Sequence, residues 1–241
     1  KHSVNINKML KWLLFFMLTG VFSQDPEKHI VLDTNNTIMI RGEINDKLAT
    51  DFIFDLNKRE NKKDLFVFLD TNGGSVDAGN RIVNEVHKYK LDCVAAKAIS
   101  MGFVIFQACR ERYITPLSTL MQHQMSYGIM NEKAKIESYV NYIKQVSHHL
   151  TGLQANKIGI SRKEFERRTF NEWWLFGDNA VDENCADEEV VVTCTPALTN
   201  ATYSVDKGAY IYHYSKCPLI TGPINKKKNK NFSNKDYIFY I

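Results

Sequence analysis

No two of the five cysteines, at positions 93, 109, 185, 194 and 217, form a CxxC pair, which argues against a zinc site. The apolar run Trp12–Leu18 is too short to cross a bilayer comfortably. No sign of charge dominates: the net charge is +4, much of it in Lys226, Lys227, Lys228 and Lys230 near the C-terminus. An excess that small and local reads as a solvated tail and does not argue for nucleic acid. No internal repeat is visible.

What is present suits a globular chain. Hydrophobic residues make up 44% and charged residues 24%, enough to build and solvate a core. Once a leader is set aside, roughly 200 residues remain, the size of one domain. Lys8 and Lys11, the run Trp12–Leu18, and then Val21-Phe22-Ser23 have the order of a signal peptide. Residues 1–23 are therefore expected to be a leader, with 1–8 upstream of a natural start at Met9. The mature protein is expected to be secreted or to reside in a secretory or periplasmic lumen. Such a compartment permits disulfides, and Cys194 with Cys217 is the expected pair. An odd count leaves at least one thiol unpaired. N-x-S/T sequons at Asn35, Asn200 and Asn231 are compatible with that compartment.

Periodicity gives the elements. Thr37–Ile40 reads as a strand, and Asn45 or Asp46 caps a helix to about Leu56, with Leu48, Phe52 and Leu56 on one face. Asp64–Asp70 has an unbroken apolar centre, as a strand covered on both sides would. Ala78–Lys90 is an amphipathic helix, Asp92–Ala98 a strand and Met101–Arg110 an apolar helix. Arg112–Thr115 is a short strand that Pro116 stops, and Ser118–Gln122 is another. Glu132–His149 is a long helix with Ile136, Val140, Ile143 and Val146 in register. Ser161 and Glu164 form a capping box for a further helix, and Asp178–Asn184 is a short one. The alternation implies an α/β domain with right-handed crossovers. From Glu188 onward the composition turns Val/Thr/Tyr-rich, then Lys/Asn-rich. Residues 24–191 are read as the main domain and 192–241 as an extension, unstructured from about Pro223.

Ser100 sits between a small-residue strand and an apolar helix, where backbone N–H groups favour developing negative charge. An ordinary N-cap is its other role. Gly73-Gly74 follows a buried strand directly, so a substrate backbone can approach and free N–H groups can serve as oxyanion donors, unless the pair is only a turn. His123 ends another apolar run and can act as base to Ser100 if the two strands are neighbours. His148 and His149 read as a solvated surface pair.

These residues resemble the proteolytic subunit of the Clp protease, a serine peptidase family with the ClpP/crotonase fold: a spiral of ββα units with a long handle helix. The resemblance rests on Gly73-Gly74-Ser75-Val76, Ile99-Ser100-Met101-Gly102, Met121-Gln122-His123-Gln124 with Gly128 beyond, the helix Glu132–His149, and Trp174–Asp187. It implies Ser100 as nucleophile, His123 as base, and the N–H groups of Gly74 and Met101 as the oxyanion hole. The triad acid, counted back from Trp174, is Glu172, where the family usually has Asp. Asn171 and Asp178 are the other candidates. The resemblance further implies no metal or cofactor, a peptide or unfolded polypeptide as substrate, and assembly into a homo-oligomeric ring.

The chain departs from the pattern in a tight Ala108–Arg112 connection, in lacking the prolines typical before Gly-Gly and after His-Gln, and in having a leader where an unfoldase-engaging loop would stand. An ATP-independent peptidase is the expectation. The alternatives are a catalytically impaired structural member, a Ser–Lys peptidase of the signal-peptide-peptidase kind using Lys133 or Lys135, and an acyl-CoA hydratase or isomerase, which would need a carboxylate at its chemistry.

Overall fold

A computed structural model of the chain describes residues 28–230. The expected leader and the Asn231 sequon lie outside the described residues. None of the described helices is long and apolar enough to cross a membrane.

The centre is a mixed sheet with strand order β2-β3-β4-β5-β6. Strands β2 (Thr37–Arg41), β3 (Phe66–Thr71), β4 (Asp92–Ile99) and β5 (Arg112–Gln122) run parallel. Helices α1 (Asp46–Asn57), α2 (Val76–Tyr89) and α3 (Met101–Gln107) connect them in turn, as parallel strands require. Strand β6 (Trp173–Phe176) closes one edge antiparallel to β5, and β7 (Glu188–Glu189) pairs beside the start of β5.

The apolar centre of β3 is covered on both faces. Val67 and Leu69 pack with Phe52, Ile82, Val86 and Phe103 of the helices. Phe66 and Phe68 point the other way, toward Ile30, Leu32, Val190 and Leu198. That second layer is built on β1 (His29–Leu32), which pairs parallel with β8 (Val191–Cys194).

Pro116 does not end a strand. Strand β5 continues through it, but the pairing with β4 jumps from Ala95↔Ile114 to Lys97↔Thr119. Residues 115–118 are looped out as a bulge, with Leu117 77% exposed, and this is how a ladder tolerates a residue with no N–H. The start of β5 is fastened by Arg112, 1% exposed, which donates to both Asp187 oxygens and the Asn184 carbonyl.

The long helix α4 spans Lys133–Ile158, nine residues beyond the expected end at His149. Only its C-terminal part is buried, at Leu150, Gly152, Gln154, Ala155 and Ile158. Helix α5 (Arg162–Arg168) follows, with the Ser161 hydroxyl accepting from the Glu164 N–H at 3.1 Å, and α6 (Asn179–Asp182) is a single turn.

The C-terminal part needs two corrections. Strand β8 straddles the expected boundary between 191 and 192, because it is the partner of β1. The stretch expected to lose structure from Pro223 instead forms β11 (Pro223–Lys228), antiparallel to β10 (Tyr210–Ser215), which also pairs with β9 (Thr202–Lys207). The lysines of β11 lie opposite tyrosines and Ile211 of β10, and this cross-strand pairing outweighs their low strand propensity. Helix α7 (Pro196–Asn200) and a disulfide joining Cys194 to Cys217 tie this three-stranded ribbon to the body. A second disulfide, unforeseen, joins Cys93 to Cys109, and Cys185 is a buried free thiol.

Candidate active site

Ser100 and His123 lie at the C-terminal ends of adjacent strands, β4 and β5. The Ser100 N–H donates to the Met121 carbonyl at 2.9 Å, which fixes the turn against the neighbouring strand. His123 Nε2 then lies 2.8 Å from Ser100 Oγ. The sequence left Ser100 with two roles, and its geometry is not that of a cap. Its φ is 56° and ψ −118°, and its hydroxyl makes no cap hydrogen bond. Ser75 and Ser161, the caps of α2 and α5, accept from Ala78 N and Glu164 N in the ordinary way. A positive φ on a residue with a Cβ is strained, and such strain gathers at functional sites.

The glycine pair packs directly against this turn. Gly73 (φ 91°) donates to the Thr71 hydroxyl at 3.0 Å, and Gly74 has φ 146°. A short bridge to Ile44 runs through the Gly73 carbonyl and the Ser75 N–H, each at 2.8 Å. The Gly74 N–H between them is left out of that ladder. The Met101 N–H, first in its helix, has no intrahelical acceptor either. Both residues line the same cavity as Ser100.

His123 is braced from behind. Its backbone N–H donates to Gln122 Oε1 at 2.9 Å, and Gln122 Nε2 donates to Gln154, buried on α4. Helix α4 is thereby tied to the histidine. The cavity, about 620 Å³, extends from Ser100 and His123 between α4 and the Gln124–Tyr127 segment. Val104, Met125, Ile143, Leu150 and Phe165 supply apolar wall, and Lys144, Ser147 and Glu166 polar wall. This suits an extended chain with mixed side chains.

Glu172 is not hydrogen-bonded to His123. Its carboxylate accepts from the Trp174 indole N–H at 2.9 Å, and its φ is 81°. Its backbone position is nonetheless opposite the histidine. The pairs Gln122↔Trp173 and Met121↔Trp174, continued by one residue, set His123 against Glu172. Asp178 is at the far end of β6, beyond Gly177, whose N–H donates to Ser118 O at 3.0 Å, so it is not placed to reach the imidazole. Asn171 is exposed on the residue before Glu172.

Lys133 and Lys135 are exposed and pair with Glu137 and Glu132. Neither lines the cavity, so the Ser–Lys alternative loses both of its proposed bases. The lysine that does line it is Lys144, one helical turn before His148. His148 and His149 are exposed, as the sequence suggests, and His148 also lines the cavity and contacts the Arg162 guanidinium. Among the described residues no cluster of His, Cys, Asp or Glu is arranged to hold a metal.

A family model for Clp protease matches residues 25–192. The chain belongs to the Clp protease family. The mixed α/β body is the architecture expected of that family, and membership implies a peptidase. The Clp protease match ends within β8, so the ribbon β9–β11 and both residues of its anchoring disulfide lie beyond it.

Proposed function

We propose that this Clp protease family member is a serine endopeptidase that cleaves peptides or unfolded segments through an acyl-enzyme. The observation that carries this reading is the Ser100 Oγ to His123 Nε2 distance of 2.8 Å at a serine whose hydroxyl does no capping. Ser100 attacks the scissile carbonyl while His123 takes its proton, then returns it to the leaving amine. The Gly74 and Met101 N–H groups receive the developing oxyanion. Water then hydrolyses the ester with His123 again as base. Glu172 is the third member: a change of side-chain rotamer away from Trp174 brings its carboxylate toward the other imidazole nitrogen. The longer Glu, in place of the family's Asp, spans the same strand-to-strand gap from a different rotamer.

The exposed N-terminal half of α4 supports assembly into a ring. Ile136, Val140, Ile143 and Val146 are only partly covered, and Tyr139 and Tyr142 are 39% and 49% exposed. A ring would sequester the cavity and admit only flexible chains. Two disulfides support an oxidising, secretory compartment, where an ATP-driven unfoldase has no fuel, so the peptidase acts alone.

Labelling with a fluorophosphonate tests the mechanism. The wild type reacts at Ser100, Ser100→Ala does not, and His123→Ala loses most of the reaction. Persistent labelling of His123→Ala moves the base to Lys144. No labelling of the folded wild type at all makes this a family member without catalysis.

A further inference from the structure

The ribbon lies outside the region matched to the family and takes no part in the site above. Its registers sort its side chains cleanly. Residues directly opposite in an antiparallel pair share a face. Tyr210, Tyr212 and Tyr214 of β10 stand opposite Lys207, Val205 and Tyr203 of β9, and Tyr210 and Tyr212 stand opposite Lys228 and Lys226 of β11. One face therefore carries four tyrosines, one valine, three lysines and, opposite Tyr214, Pro223. The ribbon's only acid, Asp206, is opposite Ile211 on the other face, where it accepts from Gly208 N and Asn229.

The rings and ammonium groups on this face are organised. Lys226 Nζ lies 5.2 Å from the centre of the Tyr210 ring and Lys207 Nζ 5.5 Å from that of Tyr212. Tyr203 and Tyr214 stack at 5.4 Å. Tyr210 is 41% exposed, and Lys207, Lys226 and Lys228 are exposed. Outside its own strands the ribbon packs chiefly on α7. The anchoring disulfide holds its base, so the face is pre-formed and not assembled on contact.

We propose that this face docks the protein on an anionic lipid surface. Tyrosines are at ease at the level of lipid headgroups, with ring inward and hydroxyl wet. Lysines beside them meet the phosphates, and no carboxylate on the face opposes them. The ammonium groups of Lys207 and Lys226 already lie over ring faces, so they present charge on an aromatic floor. A single-stranded nucleic acid would need those faces bare for base stacking, which is why lipid is the better fit. Docking would hold the peptidase at the membrane without a spanning helix.

The test is co-sedimentation of the full chain with vesicles of mixed phosphatidylglycerol and phosphatidylcholine, compared with phosphatidylcholine alone. Lys207→Glu/Lys226→Glu/Lys228→Glu is measured beside it, with Lys207→Gln/Lys226→Gln/Lys228→Gln as a milder set should charge reversal disturb the fold. Both variants keep the N-terminal segment, so any difference from wild type reports the ribbon. The expected result is salt-sensitive binding to the anionic vesicles only, weakened on the order of a hundredfold in the charge-reversed protein. Equal binding to neutral vesicles, no binding to either, or unchanged binding by both folded variants overturns the proposal. Binding of a single-stranded oligonucleotide without vesicle binding overturns it in favour of nucleic acid.

Discussion

Gly73 leaves no room for a side chain beside Ser100. A Cβ on Gly73 would lie 2.8 Å from Ser100 Cβ, 2.7 Å from the Ile99 carbonyl oxygen and 3.0 Å from the Met101 nitrogen. These three neighbours are the turn that carries Ser100, the proposed nucleophile, and one of the two proposed oxyanion donors. The positive φ of Gly73 adds its own penalty to any substitution. Gly73→Ala should thus displace the turn and not merely crowd it. We expect a stability loss of about 1–3 kcal/mol by urea unfolding and a fall in kcat/KM of on the order of a hundredfold, since small misplacements at a reacting centre have that effect. Full peptidase activity in Gly73→Ala would show that the glycine pair is only a turn.

Glu172 is the member of the proposed triad whose role a single substitution isolates. The strand register sets it against His123, while its carboxylate is held by the Trp174 indole. If it orients the imidazole, Glu172→Gln should lower kcat/KM by on the order of 10³–10⁴ and alter the pH profile of kcat/KM, with the loss in kcat and not in KM. Trp174→Phe removes the competing donor and frees the carboxylate, so it should leave activity intact or raise it. Unchanged kinetics and pH profile in Glu172→Gln would leave the site a serine–histidine dyad.

Much of this was legible because the relevant signals are local. The apolar period of α2, the unbroken centre of β3 and the Ser161–Glu164 cap depend on neighbours in sequence. Ser100 was ambiguous for a physical reason: a nucleophile and a cap both belong at a strand-to-helix junction, and they differ in φ and in what the hydroxyl faces. Pro116 suggests a stop because a missing N–H ends regular pairing, yet a four-residue bulge absorbs it within one strand. The lysines of β11 hid a strand, since composition reports average polarity and not the tyrosine ladder opposite. The Cys93–Cys109 bridge was invisible because it depends on how far α3 folds back over β4, a tertiary property.

That bridge encloses Ser100, the proposed nucleophile. Cys93 is the second residue of β4, Cys109 follows α3, and Ser100 lies between them in a loop of sequence separation 16. Closing a loop of that length contributes about 3 kcal/mol in the chain-entropy account. The double variant Cys93→Ala/Cys109→Ala should unfold at correspondingly lower urea, and the native protein should yield two disulfides and one thiol by mass spectrometry after alkylation in denaturant. Without denaturant, alkylation should be very slow, because burial pushes the Cys185 thiol up to about 12 and only the thiolate reacts. Rapid labelling of the folded protein would mean that one of the bridges is open.

Asp187 links the far end of β5 to acid stability. Burial pushes its carboxyl up, but hydrogen bonds from the Arg112 guanidinium and backbone N–H, with the guanidinium charge, outweigh this and hold it below the ordinary carboxylate value. A carboxyl lowered in the folded state binds protons more readily when unfolded. Its stabilising contribution is therefore complete above the unfolded value of about 3.9 and is lost as pH falls through the lower folded value. Asp187→Asn leaves Arg112 buried without its counter-charge, which should cost about 3 kcal/mol at neutral pH. The gap between wild type and variant in urea midpoint should hold from about pH 7 to about pH 5 and close as pH drops below about 4. A gap that stays constant down to the lowest pH would show that the Arg112–Asp187 contact acts through packing and hydrogen-bond geometry and not through charge.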